Sequence, residues 1–471
     1  MAKVLISYFS EYGSSTYEGL SESLSKMGND VLLINWLRLI SYQKTWGSSK
    51  LVDYGVLEQV LEFNPTFVLN YNNSCPTEVL SNLNCPILLI DADNPWTFWN
   101  RDFLLENHLN PNYYFLGLQT CSYEMFSDFF GHSFSEDRYM YFPMATSFHK
   151  MDLQPMRNIV FLGSNWYGGY ACLLPEVHQR AFEFLYSRYK EDFLFDFDQA
   201  KKDYKNRYGT EMPKIDADTF RWHFAGQERL KNLSELEDLG LEIYGNNWKY
   251  TGAAFDMELS LLDHGPLMDQ EDVSNLYNSS KISVNFSHPQ AKTSFSWRVM
   301  DIMASNSCLL MERKSDWLGL FGDLLSQEVK ESVTYTDRFD MRKKAERLLN
   351  DEKLRAQCVT ELQEAIEKNG RWESRIKLLE AFLKIKLNNH EKVGSILTVR
   401  PKEYLKNSNE PSGNLTNNKI KYLIKKTFSN NPDLLIFSCS AILAFAHTPI
   451  LKKIIPDNIK LKAINKIKSK L

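Results

Sequence analysis

The chain has 471 residues, of which 43% are hydrophobic, 24% charged and 13% aromatic. It is too long for a single core and too apolar for a disordered chain, so two domains and an appendage are expected. The formal charge is −4, yet residues 419–471 hold eleven lysines against two aspartates, leaving −13 on the rest; that acidic body argues against nucleic acid as a partner and leaves anionic surfaces to the tail.

In chain order, "KVLISYF" reads as a strand, "YEGLSESLSKMG" as a helix and "DVLLINW" as the next strand. "VLEQVLEF" is helical, "PTFVLNYN" a strand, "TEVLSNLN" a helix, and "CPILLIDAD" and "YYFLGLQ" are strands. Short apolar runs alternating with helices predict a parallel sheet covered on both faces. A second set starts near 157 with "NIVFLGSNW", followed by a long charged helical stretch from 175 to 240. "GLEIYGNNW" is a strand with a glycine turn, "DVSNLYNSS" a helix, "KISVNFS" a strand, "SWRVMDIMAS" a helix and "SCLLMER" a strand. "SVTYTD" and a helical run from 339 to 386 close this set.

The expected fold is therefore α/β, with two Rossmann-like doubly wound domains facing a cleft. The boundaries are 1–153, 154–386, and a linker with a basic, mostly helical tail over 387–471. Seven cysteines form no CxxC pair, and nine histidines form no HExxH or HxH. With an odd thiol count and an N-terminus that enters a strand at once, reduced cysteines in a cytoplasm are expected, with no metal held by the protein alone.

Ligands of such sheets sit beyond the carboxyl ends of the strands. Ser10, Gly13 and Ser14 lie in a polar loop there, with small residues suited to an anion at a helix start, and are expected to shape the acceptor site or to touch donor phosphates across the cleft. Flavodoxins have a similar loop for flavin mononucleotide, but two domains and the loose spacing of "SEYGSST" disfavour a flavin. Asp91 and Asp93 lie at the same edge; Asp-Asn-Pro reads equally as a helix-capping turn. Gly163, Ser164 and Asn165 follow a strand, as do Gly245, Asn246 and Trp248, and each group reads equally as a plain turn. His288 ends another strand.

The segment 276–321, "LYNSSKISVNFSHPQAKTSFSWRVMDIMASNSCLLMERKSDWLGLF", resembles the nucleotide-sugar half of GT-B glycosyltransferases, and more narrowly the CgeB or spore-maturation-protein group, also labelled glycosyltransferase family 1-like. "DADNPW", "YFPMATS", "IVFLGSNW" and "IYGNNW" are similar to further stretches of that group, in the same order over about 1–340. The resemblance implies an enzyme that transfers a sugar from a nucleotide-sugar co-substrate, with no other cofactor and no metal. It also places Tyr277 in the donor-binding half.

Lys292, Ser294 and Ser296, with Thr293, fit a helix N-terminus that meets phosphate. Arg298 can fork onto phosphate oxygens, and Asp301, on the same helix face, can accept both ribose hydroxyls. Without the resemblance, an i,i+3 surface ion pair is the simpler account. Many retaining enzymes of this fold have two glutamates eight positions apart; here the places fall on Thr293 and Asp301, so the stereochemical outcome stays open. "DAD" at 91 is a formal DxD, but it lies in the first sheet and reads as coincidence. For a base, Asp93 comes first, with Asp91 and His132 behind it.

The apolar run "LLIFSCSAILAFA" (434–446) is too short to span a bilayer. Flanked by lysines, it suits an interfacial helix on an anionic inner leaflet, or a helix that docks on the body or on another subunit. The resulting expectation is a bacterial glycosyltransferase acting on a cell-surface glycan or lipid-linked acceptor, cytoplasmic or peripheral on the inner membrane face, with a homo-oligomer left open. The alternatives are a catalytically silent nucleotide- or glycan-binding assembly protein, and a sugar-nucleotide epimerase.

Overall fold

The computed structural model describes residues 1–10, 15–41, 50–51, 54–165, 175–214, 217–246, 248, 259, 261–267, 269–389 and 392–399. Its strands are β1 (Lys3–Tyr8), β2 (Asp30–Asn35), β3 (Ile40–Ser41), β4 (Lys50–Leu51), β5 (Phe67–Tyr71), β6 (Ile87–Ile90), β7 (Tyr113–Gly117) and β8 (Tyr139–Tyr141). They continue with β9 (Arg157–Leu162), β10 (Leu241–Tyr244), β11 (Ser280–Asn285), β12 (Cys308–Glu312), β13 (Thr334–Tyr335) and β14 (Ile396–Thr398).

Two parallel sheets organise the chain. The first has the order β14-β2-β1-β5-β6-β7-β8 and the second β10-β9-β11-β12-β13, with every pairing parallel. In β1, Val4, Leu5 and Ile6 are fully buried, and every residue of β5 is buried. Both faces of these strands are covered, which is why their sequences are continuous apolar runs and do not alternate. The two Rossmann-like sheets of the expected GT-B architecture are both present. Strands β3 and β4 form a small antiparallel ribbon.

The contacts divide the chain into two compact units. The first holds both sheets: Met1–Ser164, Glu228–Asn246 and the described residues of 262–399. The second holds 165–227 and the described residues of 247–261. The stretch expected to be one helical region from 175 to 240 consists of three helices, Pro175–Glu191, Phe197–Tyr208 and Ala217–Ser234. Residues 181–224 have their own core, in which Phe182, Phe184, Tyr204, Phe220 and Phe224 pack together. Residues 154–386 are therefore split between two bodies.

The chain also leaves the expected boundary at 386 differently. Leu387 is buried, its carbonyl accepts from Asn29 Nδ2 at 2.6 Å, and Ser395 Oγ donates to Asp30 Oδ1 at 2.6 Å. The chain then adds β14 to the edge of the first sheet, where polar bonds and not an apolar run hold it. The appendage expected beyond residue 399 lies outside the described residues.

The C-terminal helix of the second set, Trp372–Leu383, is tied back to the connecting stretch 143–148. Arg375 is 2% exposed. Its guanidinium donates to the carbonyls of Pro143 (2.8 Å), Met144 (3.1 Å) and Asn369 (2.8 Å). Burial pulls its pKa down to about 10. Arg371 donates to Phe148 O, and Thr146 N donates to Gly370 O at 3.0 Å. Replacing Arg375 takes the donor from two buried carbonyls and one half-buried carbonyl, each buried one worth about 1–3 kcal/mol. Arg375→Met is therefore expected to lower the urea unfolding free energy by about 3 kcal/mol or more; a loss under about 1 kcal/mol would show that these carbonyls find other partners.

Candidate functional site

Two cavities, of about 140 and 240 Å³, lie where the carboxyl ends of the two sheets meet. Ser10, Trp297 and Arg298 line both. Ser10 follows β1, and its backbone is held by the Asn35 side chain, which accepts from Ser10 N at 3.3 Å and donates to Ser10 O at 2.7 Å.

The smaller cavity is built mainly by the second sheet. Gly163 and Ser164 follow β9, Gly245 and Asn246 follow β10, and Pro266, Leu267, Asp269 and Gln270 close one side. A Cβ at Gly163 would sit 2.7 Å from the Phe161 ring, so this turn needs glycine to pass close to its own strand. Gly163 N donates to Tyr244 O at 2.8 Å, which aligns the two turns. Buried Arg229 donates to Ser164 O at 2.6 Å and lies over the Phe161 ring at 5.3 Å. Gln270 Nε2 reaches across to Glu18 of the first helix, Ser15–Lys26. The Arg298 side chain makes no ion pair or hydrogen bond with any described residue, so its fork of N–H donors is available to an anion.

The larger cavity draws on both sheets. From the first come Phe9, Tyr17, Asn72, Asp91, Asp93 and Gln119; from the second come His288, Gln290, Ser294, Phe295 and Ser296. Asp91 and Asp93 follow β6 but differ in environment. Asp91 is 2% exposed, and its Oδ1 accepts from Leu118 N at 2.6 Å. Burial outweighs that bond and pushes its pKa up to about 8, which keeps the carboxyl largely protonated at neutral pH. Asp93 is open to solvent at the cavity mouth, although protein surrounds it on its other sides. Burial raises its pKa, while the Asn72 amide, donating to Oδ2 at 2.7 Å, works in the opposite direction. Asn72 Oδ1 accepts from Asp93 N at 2.8 Å, so one side chain holds both backbone and carboxylate.

Asn72 and Asn73 have φ of 50° and 53°, a left-handed turn that Asn tolerates. Asn73 and Asn100 then exchange bonds with the backbone of residues 73–75 and 99–100, fastening the 91–100 loop to the end of β5. His288 has its pKa lowered to about 3, first by burial and then by Arg229 and Arg298. Its Nδ1 accepts from Gln290 N at 3.3 Å, which leaves the proton of the neutral ring on Nε2.

The structure brings together Ser10, Asp91, Asp93, Gly163, Ser164, Gly245, Asn246, His288, Ser294, Ser296, Arg298 and Asp301. It places others elsewhere. His132 is exposed and lines neither cavity; its Nε2 meets His108 Nε2 at 2.9 Å, because it belongs to the loop after the helix Ser122–Phe130. Tyr277 is 1% exposed in the core face of the helix Gln270–Asn278, and burial raises its pKa strongly. Lys292 is exposed and lines neither cavity, and the same holds for the buried Asn165 and Trp248 as lining residues. Gly13 and Ser14 lie outside the described residues.

The helix expected from 296 begins at Arg298 and ends at Met303; residues 292–296 form the loop that leads into it, with Ser296 Oγ accepting from Arg298 N at 3.4 Å. Asp301 lines the smaller cavity but is 4% exposed, and its Oδ1 accepts from Thr146 Oγ1 at 2.6 Å. Asn72, Gln290, Trp297 and Arg229 are the residues that sequence reasoning missed. Trp297 stands inside the quoted motif, whereas the other three gain meaning only from partners far away in the chain. Among the described residues no cluster of three or more His, Cys, Asp or Glu side chains is placed to hold a metal ion.

Comparison with known proteins gives a match of residues 226–381 to the glycosyl transferase-like family model. No curated protein matches. Similar solved structures include T4 phage beta-glucosyltransferase with UDP-glucose, at 13% identity and TM-score 0.42, covering 82% of this chain and 99% of that one. Sucrose-phosphate synthase from Thermosynechococcus elongatus gives 11% identity and TM-score 0.43, covering 81% and 98%. Anabaena HepE, with UDP and glucose, gives 10% and 0.46, covering 82% and 100%.

The Asp91 carboxyl yields a pH test. Its unfolded pKa is about 3.9, and the folded one is about 8. Between these values the unfolded chain has released a proton that the folded chain keeps, so stability falls as pH rises, by up to about 1.4 kcal/mol per unit. Asp91→Asn keeps an acceptor for Leu118 N and removes the titration. Urea midpoints should coincide near pH 4, with the variant pulling ahead up to pH 8; parallel curves would mean that Asp91 ionises normally.

Proposed function

We propose that the chain is a glycosyltransferase, moving a sugar from a nucleotide-sugar donor to a bacterial cell-surface glycan or lipid-linked acceptor without a resident metal. The shared wall carries this reading: Ser10, Trp297 and Arg298 border both a cavity of the second sheet and a cavity containing the Asp93 loop of the first. The glycosyl transferase-like match supports it, since 226–381 includes Arg229, His288, Arg298 and Asp301. The motifs at 91–96, 141–147 and 276–321 support the narrower kinship with the CgeB-like group.

In this reading the nucleotide occupies the smaller cavity, with the diphosphate against Gly163, Ser164 and Arg298 and the ribose towards Asp301. The sugar crosses the wall into the larger cavity. Asp93 takes the proton of an acceptor hydroxyl as that oxygen bonds to the anomeric carbon. The bond from the anomeric carbon to the phosphate oxygen breaks, and its electron pair leaves with the nucleoside diphosphate, whose charge Arg298 meets. A raised pKa makes Asp93 a better base than an ordinary carboxylate while Asn72 keeps it aimed. Neutral His288 lines the larger cavity without adding charge to it. The lysines of 419–471 support attachment to an anionic inner leaflet.

The test is release of nucleoside diphosphate from a panel of nucleotide sugars by the purified protein and by Asp93→Asn. One donor should turn over, and the variant should lose about a hundredfold or more in kcat while still binding the nucleotide. Equal turnover by the variant removes Asp93 from the chemistry. No turnover of any donor, with nucleotide binding intact, favours a silent binding protein.

A further inference from the structure

Asp316 lies outside both cavities, at the start of the helix Ser315–Phe321, and is 3% exposed. A carboxylate that deep is stable only when its oxygens are satisfied. Its donors come from both sheets. Thr120, beyond β7 of the first sheet, donates its backbone N–H to Oδ2 at 3.0 Å and its hydroxyl to Oδ1 at 2.6 Å. Thr293, beyond β11 of the second, donates its hydroxyl to Oδ2 at 3.0 Å. Asp316 N donates back to Thr293 O at 3.1 Å. Gln119 and Gln290 extend this seam: Gln119 Oε1 accepts from Thr293 N at 3.3 Å, and Gln290 Oε1 accepts from Asn94 N at 3.0 Å.

The loop so fastened runs directly into Ser294, Ser296, Trp297 and Arg298. The same seam holds Asn94, next to Asp93. We propose that Asp316 is a positioning residue: by gathering Thr120 and Thr293 it clasps the two sheets at the cleft and sets Arg298 and the Asp93 loop in register. This rests on the glycosyltransferase reading for its catalytic consequence but not for the clasp itself. An amide in its place keeps the volume but removes the charge and one of the two acceptors, so Thr120 Oγ1 must turn from donor to acceptor and the charge-assisted bonds of the clasp are lost.

The test compares the full chain with Asp316→Asn and with Thr293→Val, which removes one donor and no charge. Amide exchange at the stretches around Thr120 and Thr293 should speed up about tenfold in Asp316→Asn and less in Thr293→Val, with β12 unchanged. The kcat should fall about tenfold, while the Kd of the nucleoside diphosphate that best protects the native protein stays within about threefold. Unchanged exchange at both stretches overturns the clasp, and so does a uniform rise that includes β12. Localised exchange with unchanged kcat overturns the positioning role. If the native protein turns over no donor, the glycosyltransferase reading fails, and the exchange pattern alone decides the clasp.

Discussion

A cation in the wall between two cavities is the constraint on which the site depends. Arg298 is half-buried, faces both cavities and makes no direct ion pair with a described residue, although Asp269 and Asp301 line the smaller cavity with it. Holding a guanidinium out of bulk water without a partner costs free energy, and a bound anion removes that cost. The body around it is acidic, so without such a cation a doubly charged diphosphate would meet repulsion. The same charge acts on His288, which it helps to keep neutral. Burial and Arg229 contribute more to that neutrality, so Arg298 supports it and is not its main cause.

The fold makes this economical. Parallel strands bring their carboxyl ends to one edge of each sheet, so loops distant in sequence meet without further design. Asn72, Asn73 and Asn100 secure the first-sheet loop with neutral amides, and Asn72 also favours the ionised form of Asp93 against burial. Asp91, two residues earlier, is sealed against Leu118 N and stays protonated, so it does not repel Asp93 at neutral pH. Two acids on one loop thus have separate characters set by environment. Arg375 and Thr146 hold the returning helix and Asp301 to the connecting stretch.

Much of this was legible in the sequence because it depends on local periodicity. The apolar runs of β1, β5, β6, β9, β11 and β12 marked both sheets, and the strand ends marked Ser10, Asp93, Gly163, Gly245 and His288. What escaped depends on distant partners. The chain's return to β2 through β14 rests on Asn29, Asp30 and Ser395, whose side chains carry no periodic signal. The helix starts at Arg298, two residues later than expected; Trp297 stands at its N-cap without a side-chain bond, and Ser296 Oγ accepts from Arg298 N at 3.4 Å. His132 looked like a base by residue type alone, but a bond to His108 across the far loop accounts for it. Asn72 and Gln290 are ordinary amides until the fold places Asp93 and Asn94 against them.

The central claim is that Arg298 anchors the diphosphate of a nucleotide donor. A thermal-shift panel of UDP, GDP, CMP, dTDP and ADP on the native protein and on Arg298→Ala tests it most directly. A nucleotide at a hundred times its Kd adds about 2.7 kcal/mol of apparent stability. The account predicts that one diphosphate raises the Tm of the native protein and that the rise disappears in Arg298→Ala. An equal rise in both proteins would contradict it, placing the nucleotide away from the wall between the two cavities.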